Sequence, residues 1–378
     1  MRRTPAPPIW NADDPRTPAR ILLVARPATG GLRAHIIELL RRLDRRAYEP
    51  WICAPAEFTA DLPHGLPPYR GAVCPVAAKL SPRDLIAALR LRSCIKSAAQ
   101  IAPPLVHAHG IRAAWVASLA HLTGRFLFVV TLHNMPPDGP IGTTVMRFLH
   151  RRADRIICVS DAIAQRIDSP KVVVIPNGVQ LDRFDDLDRD ASRKELGIAA
   201  EQFVVGCIAR LAPEKGVDIL AEAARALPDV QFIVEGDGGE RARIEAIAPP
   251  NMRLLGRCES ILPLLAASDV IAVPSRSEGQ GIVALESLAS GRAVIASNTG
   301  GLPGMIRHEE TGLLVPPENA AALAAAIKRL QGDRPLLASL ATQGREYARA
   351  NGDIDRRTRE LEEVYAKLLR AAFGPPRA

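Results

Sequence analysis

Short apolar runs alternate along the 378-residue chain with longer stretches in which apolar positions recur every third or fourth residue. The first pattern predicts strands buried on both faces and the second predicts covering helices, so the chain reads as an α/β protein built on parallel sheets. Six strands are expected in the first half: "RILLVAR", "EPWICAP", "LVHAH", "FLFVVTLH", "RIICVS" and "KVVVIPNG". Six more follow: "FVVGCIAR", "VQFIVEGDG", "NMRLLG", "DVIAVPS", "RAVIAS" and "GLLVPP". The expected division is a Pro-rich flexible tail at 1–18, a doubly wound domain at 19–180, an acidic linker at 181–198, a second doubly wound domain at 199–345, and a helical segment at 346–378 able to pack back on the first domain. Ligands of such sheets bind at the carboxyl ends of strands, so functional residues are expected in the loops that follow them.

Composition narrows the class. A single core rarely grows beyond about 250 residues, which favours two domains. No apolar run approaches the roughly 20 residues of a membrane span, and the N-terminus carries Arg2 and Arg3 without the apolar middle of a secretory signal. The six cysteines are scattered, with Cys158 and Cys207 inside apolar runs. That usage fits reduced core residues of a cytoplasmic protein. The net charge of +8 does not point to nucleic acid, because aromatic residues are only 4% of the chain and no stacking platform or zinc-finger spacing is present. Basic residues gather instead on two candidate helices, "LRAHIIELLRRLDRR" and Arg83 to Gln100. They fit either an ordinary solvated face or peripheral association with an anionic membrane.

"PSRSEGQGIVALESLASG" places Glu278 in a glycine-bearing loop and Glu286 on the helix that the loop opens. The two acids lie at most about 12 Å apart along a helix axis, too far for a proton-sharing dyad. They suit a ligand with hydroxyls at both ends and an anionic middle, with Ser275 or Ser277 as helix caps and the helix start facing the anion. A capped helix with an ion-paired glutamate fits the same spacing. "IARLAPEKG" places Arg210 and Lys215 after another strand, the two side-chain types that hold a diphosphate and would absorb the charge of a leaving one. Two surface cations, one paired with Glu214, fit it too. "VEGDGGERARIE" has Arg241 where a dinucleotide fingerprint needs its third glycine, and reads as a tight turn. His107 and His109 share a strand face, but a metal pair there has no placed third ligand. The D-x-D match Asp186 to Asp188 follows no strand. No metal and no cofactor are expected.

"ARLAPEKG", "VEGDG", "ASDVIAVPSRSEGQGIVALESLASGRAVIASNTGG" and "TGLLVPP" resemble the donor domain of family-4 retaining glycosyltransferases of GT-B architecture. "ATGGLRAH", "LVHAHG", "TLHNM", "CVSDAIA" and "VIPNGVQLDRF" agree with that family's first half, in order. The resemblance covers about residues 21–330. It implies two Rossmann-like domains facing each other across a cleft. It also implies donor contacts from Arg210, Lys215, Glu278, Gly279, Gly281, Ile282 and Glu286, with Glu278 on the sugar and Glu286 on the ribose. Gly30 and Gly31 would form a loop near the donor phosphates and acceptor, His109 would lie near the transferred sugar, and His133 would line the acceptor side. The catalytic set would be Glu278, His109, Arg210 and Lys215. Three positions depart from the family pattern: Gln280 replaces an aromatic residue, Gly304 an acid, and Asn134 an acid. The implied activity is retaining, metal-independent transfer of a sugar from a UDP- or GDP-linked donor to a carbohydrate or lipid-linked acceptor, as in polysaccharide biosynthesis. An epimerase or phosphorylase of the same architecture, or a non-catalytic nucleotide-sugar-binding protein, is the alternative. A nicotinamide oxidoreductase is disfavoured for want of a complete glycine fingerprint.

Overall fold

The computed structural model describes residues 18–27, 30–60, 62–100, 104–137 and 139–374. All but the last residue of the expected tail at 1–18 lies outside them. The chain forms two compact units, one running to Pro176 and resuming at Asp355, the other Asn177–Ile354.

The first unit holds seven strands: β1 Ala19–Val24, β2 Tyr48–Ala54, β3 Arg70–Val73, β4 Pro104–His109, β5 Leu127–Leu132, β6 Arg155–Cys158 and β7 Val172–Val174. Their order is β3-β2-β1-β4-β5-β6-β7, and every pair is parallel. The apolar runs form inner strands because both faces are covered: Ile21, Leu22, Leu23 and Val24 are all buried, divided between two core clusters on opposite sides of the sheet. β3, "RGAV", was not expected. It is an exposed edge strand with no apolar run to announce it. The helix Ile354–Phe373 belongs to this unit, and its Leu361, Tyr365 and Leu369 are buried in the same core as β1 and β2.

The second unit holds β8 Val204–Ile208, β9 Gln231–Glu235, β10 Met252–Gly256, β11 Val270–Val273, β12 Ala293–Ser297 and β13 Leu313–Val315, ordered β10-β9-β8-β11-β12-β13 and all parallel. Residues 181–198 are part of this unit rather than a free strap. They form the turn Leu181–Phe184 and the helix Arg189–Glu195, which Asp188 caps by accepting from the Ala191 N–H at 2.9 Å. The D-x-D match is therefore a helix cap. Arg193 from that helix is buried and donates to Asp269 Oδ2 at 2.9 Å just before β11.

In each sheet the strand order reverses at one central pair, β1/β4 in the first and β8/β11 in the second. Crevices at such reversals are the ligand sites of doubly wound sheets.

Candidate active site

At the β8/β11 reversal two loops meet. The loop after β8 carries Arg210, Glu214 and Lys215, and the loop after β11 carries Ser275, Arg276 and Glu278. Gly216 permits the approach. It adopts φ +65°, and a Cβ there would lie 2.0 Å from the Pro274 carbonyl oxygen. Arg276 fastens the loops together. Its backbone N–H donates to the Glu214 carbonyl at 2.8 Å, and its guanidinium donates to the Pro213 carbonyl at 2.8 Å and to both Asp218 oxygens at 2.8 and 3.0 Å. Neither Arg276 nor Asp218 was singled out from sequence, where each looked like one more surface charge.

The fastening sets Lys215 Nζ 2.6 Å from Glu278 Oε2, and the Ser275 hydroxyl donates to the same oxygen at 3.1 Å. Gly300 supports Glu278 from behind, since a Cβ there would lie 1.8 Å from the Glu278 carbonyl oxygen. Arg210, in the loop itself, pairs with Glu214 four residues on and is about half exposed. Burial works to raise the Glu214 carboxyl, but hydrogen bonding and the charges of Arg210 and Lys215 outweigh it and hold the group below its ordinary range. Of the predicted donor residues, Lys215 and Glu278 are thus in direct contact and Arg210 stands beside them through Glu214.

The helix Ile282–Ala289 starts at Gly281 in the left-handed region, with no side-chain cap. The caps expected from Ser275 or Ser277 are absent, because Ser275 is turned to Glu278 instead. The first turn therefore presents its N–H groups without a side-chain acceptor, the arrangement that favours an anion. Glu286, one turn on, is pushed up to about 7 by desolvation, with Arg183 opposing the shift and Glu235 adding to it. Glu235, at the end of β9, is also raised to about 7 by burial. Neither carboxylate has a hydrogen-bond or ion-pair partner among the described residues. Glu235 was missed from sequence because "VEGDG" drew attention to its glycines.

Gln280 has a structural task. Its Oε1 accepts from the Asn177 backbone N–H at 2.6 Å and from Asn177 Nδ2 at 2.7 Å, while its Nε2 donates to the Asn177 carbonyl at 3.1 Å. The amide thus locks the glycine-bearing loop to the start of the second unit, with three hydrogen bonds that no aromatic ring at this position could make. Gly304 contributes only its carbonyl, which accepts from the Tyr347 hydroxyl at 3.2 Å.

In the first unit, Gly30 (φ +67°) precedes and Gly31 begins the helix Gly31–Arg42 after β1, while residues 28 and 29 of that loop lie outside the described ones. His109 ends β4 and His133 follows β5. His109 is fully buried, with its Nδ1 3.3 Å from His133 Nε2. Desolvation lowers His35 to about 4 and holds His107, His109 and His133 well below the ordinary imidazole range.

Comparison with known proteins agrees with this layout. The family description "Glycosyltransferase Family 4" matches residues 29–183, and "Glycosyl transferases group 1" matches residues 188–347. The D-inositol 3-phosphate glycosyltransferase of Mycobacterium tuberculosis (strain H37Rv) is 29% identical over 380 residues, covering 84% of this chain and 76% of that protein. Among solved structures, Anabaena Alr3699/HepE in complex with UDP and glucose superposes with a TM-score of 0.80 at 23% identity, covering 92% of this chain and 99% of its own. Sucrose-phosphate synthase from Thermosynechococcus elongatus superposes with a TM-score of 0.81 at 23% identity, covering 93% and 100%. At these identities the structural matches establish the fold.

Proposed function

Because the chain belongs to the family-4 glycosyltransferases of GT-B architecture, we propose that it transfers a sugar from a nucleoside diphosphate donor to an acceptor hydroxyl with retention of anomeric configuration and without a metal on the diphosphate. The observation that carries this reading is the Lys215–Glu278 contact at the β8/β11 reversal, flanked by the uncapped helix start and the unpaired Glu286. Glu278 would accept from sugar hydroxyls and Glu286 from the ribose. The acceptor oxygen would attack the anomeric carbon on the face from which the diphosphate departs. The bond from that carbon to the phosphate oxygen breaks as the new bond forms, and the acceptor proton passes to a departing phosphate oxygen. Arg210, Lys215 and the helix start take up the negative charge released, so the role a divalent ion would otherwise fill belongs to fixed cations. The HepE structures contain UDP and UDP-glucose, which supports testing uridine donors first.

NMR of the product formed from an α-linked nucleotide-sugar should show an α-linkage, with turnover undiminished by EDTA. A β-linked product rejects retention. Donor consumption without acceptor favours the epimerase or phosphorylase reading, and donor binding without transfer to any acceptor favours the binding protein.

A lipid-linked acceptor at an anionic leaflet is the second element of the proposal. Arg33 aside, the arginines of the helix Gly31–Arg42 and the turn after it are engaged internally: Arg41 and Arg42 pair with Glu38, Arg42 also with Asp355, Arg45 donates to the Pro68 carbonyl, and Arg46 pairs with Asp44. The helix Arg83–Ala99 differs. Leu85, Ile86 and Leu89 are each more than half exposed, as are Leu80 just before it and Val73 and Leu122 nearby in the unit. Arg83, Arg90 and Lys96 on the same helix have no ion-pair partner among the described residues. Apolar side chains bordered by free cations form the signature of a surface that enters an anionic interface. Among the described residues, no helix is long and apolar enough to cross a membrane. Sedimentation with phosphatidylglycerol vesicles should retain the protein, and replacing Leu85, Ile86 and Leu89 with Ser should release it. Equal retention on neutral vesicles contradicts the leaflet assignment.

A further inference from the structure

The fold gathers Cys53, Cys74 and Cys94 at one corner of the first unit. Cys53 stands near the end of β2, in register with Ala72 of β3. Cys74 follows β3, and its backbone N–H donates to the Ala54 carbonyl at 2.9 Å. The helix Arg83–Ala99 covers this corner. Its Ala87, Leu91 and Ile95 are buried in the same core cluster as Cys53 and Cys74, and the Cys74 thiol donates to the Ala87 carbonyl at 3.3 Å. Cys94, two turns on from Ala87, packs against that cluster and is hydrogen-bonded side chain to side chain with Cys53. Burial separates the three thiols. Cys53 and Cys74 are fully enclosed, whereas Cys94 keeps part of its surface open to solvent.

We infer that Cys94 and Cys53 form a modification site for hydroperoxides, with Cys94 as the attacking thiol and Cys53 as the thiol that closes a disulfide on it. A thiol reachable from solvent beside a second, enclosed thiol is the arrangement of peroxide-reactive cysteines. The charges are divided to suit these roles. The hydrogen bond with Cys53 lowers the Cys94 thiol to about 7 against the effect of burial, and Arg90 one turn earlier adds to the lowering. The same bond, with burial, holds Cys53 well above the ordinary thiol range, so Cys53 is the proton donor of the pair. Cys258 is more exposed, but burial and the charges of Glu235 and Glu195 raise its thiol. In the first step the Cys94 sulfur attacks a peroxide oxygen: an S–O bond forms, the O–O bond breaks, and the leaving oxygen takes a proton to become water or an alcohol. In the second the Cys53 sulfur attacks the Cys94 sulfur: the S–S bond forms, the S–O bond breaks, and hydroxide departs with the Cys53 proton as water. The two thiols together give up two electrons, and the peroxide receives them. The bridge would tie β2 to the helix whose Leu85, Ile86 and Leu89 are exposed. This site lies in the unit that does not carry Lys215 and Glu278, and it is independent of how the diphosphate is held.

The test treats the full-length protein with hydrogen peroxide at neutral pH and counts its thiols after unfolding. The count should fall from six to four, and dithiothreitol should restore it. Cleavage after Arg and Lys puts Cys53, Cys74 and Cys94 on separate peptides, so mass spectrometry of a tryptic digest should show the Cys53 and Cys94 peptides joined with the loss of two hydrogens. Cys94→Ser, at a part-exposed helix position, should leave far-UV circular dichroism unchanged and abolish any bridge to Cys53. Cys53→Ala should accumulate a sulfenic acid on Cys94 that dimedone traps. A count that stays at six, a bridge from Cys53 or Cys94 to any other cysteine, or Cys94 carried to the sulfinic acid with Cys53 still free overturns the assignment.

Discussion

Lys215→Ala is expected to lower kcat by about 10²–10³-fold, the usual loss when one fixed group facing developing negative charge is removed. The argument rests on position. Lys215 Nζ is held 2.6 Å from Glu278 Oε2, at the junction that Arg276 fastens and Gly216 permits. The ammonium neutralises the glutamate; under the proposed function it would stand between that acid and the donor's diphosphate. Truncation leaves Glu278 with the Ser275 hydroxyl as its partner, so the loop should keep its shape and thermal unfolding should barely move. Arg210→Ala should cost less, because Arg210 is half exposed and already shares its charge with Glu214. Near-normal turnover of Lys215→Ala removes the leaving-group clamp from the mechanism.

Asp269→Ala is expected to destabilise the second unit by about 3–5 kcal/mol, the range for breaking a buried ion pair from one side. Asp269 Oδ2 accepts from Arg193 at 2.9 Å and from the Val204 backbone N–H at 2.8 Å, and Oδ1 accepts from Arg189 at 2.8 Å. Arg193 is almost wholly enclosed and also donates to the carbonyls of Ala199, Ala200, Gln202 and Ala267. Without Asp269 its guanidinium loses its ion-pair partner, and the β8 N–H loses its acceptor. Denaturant unfolding with a probe in the second unit measures the loss. A change below about 1 kcal/mol would show that Arg193 is satisfied by its carbonyls alone, since that is what a solvent-screened pair contributes.

The inner strands were legible because a parallel strand covered on both faces must be apolar throughout, as "ILLV" and "VIAV" are. β3 was not, because an exposed edge strand obeys no such rule. Lys215 and Glu278 were legible as types at the ends of strands. Their contact was not, because it depends on Arg276, Asp218 and Gly216, residues whose roles arise only when two loops sixty positions apart close on each other. Glu235 stayed hidden for a related reason: one acid among many becomes distinctive only when burial strips its partners away. The stretch at 181–198 looked like a solvated connector because its charges carry no periodic apolar signal. Arg193, its most buried side chain, is itself a charge, and its partner Asp269 lies seventy-six residues on. Gln280 read as a defect in a motif and proved to be a three-bond lock on Asn177.

The central claim is that a nucleoside diphosphate is gripped by fixed cations of the second unit. Isothermal titration of UDP, GDP and ADP into wild-type protein and Lys215→Ala, in EDTA and again in excess Mg²⁺, tests it most directly. One diphosphate should bind the wild type equally well with and without magnesium, its monophosphate should bind far more weakly, and Lys215→Ala should lose the preference for the second phosphate. Diphosphate binding that appears only with magnesium, or that survives unchanged in Lys215→Ala, would contradict the account.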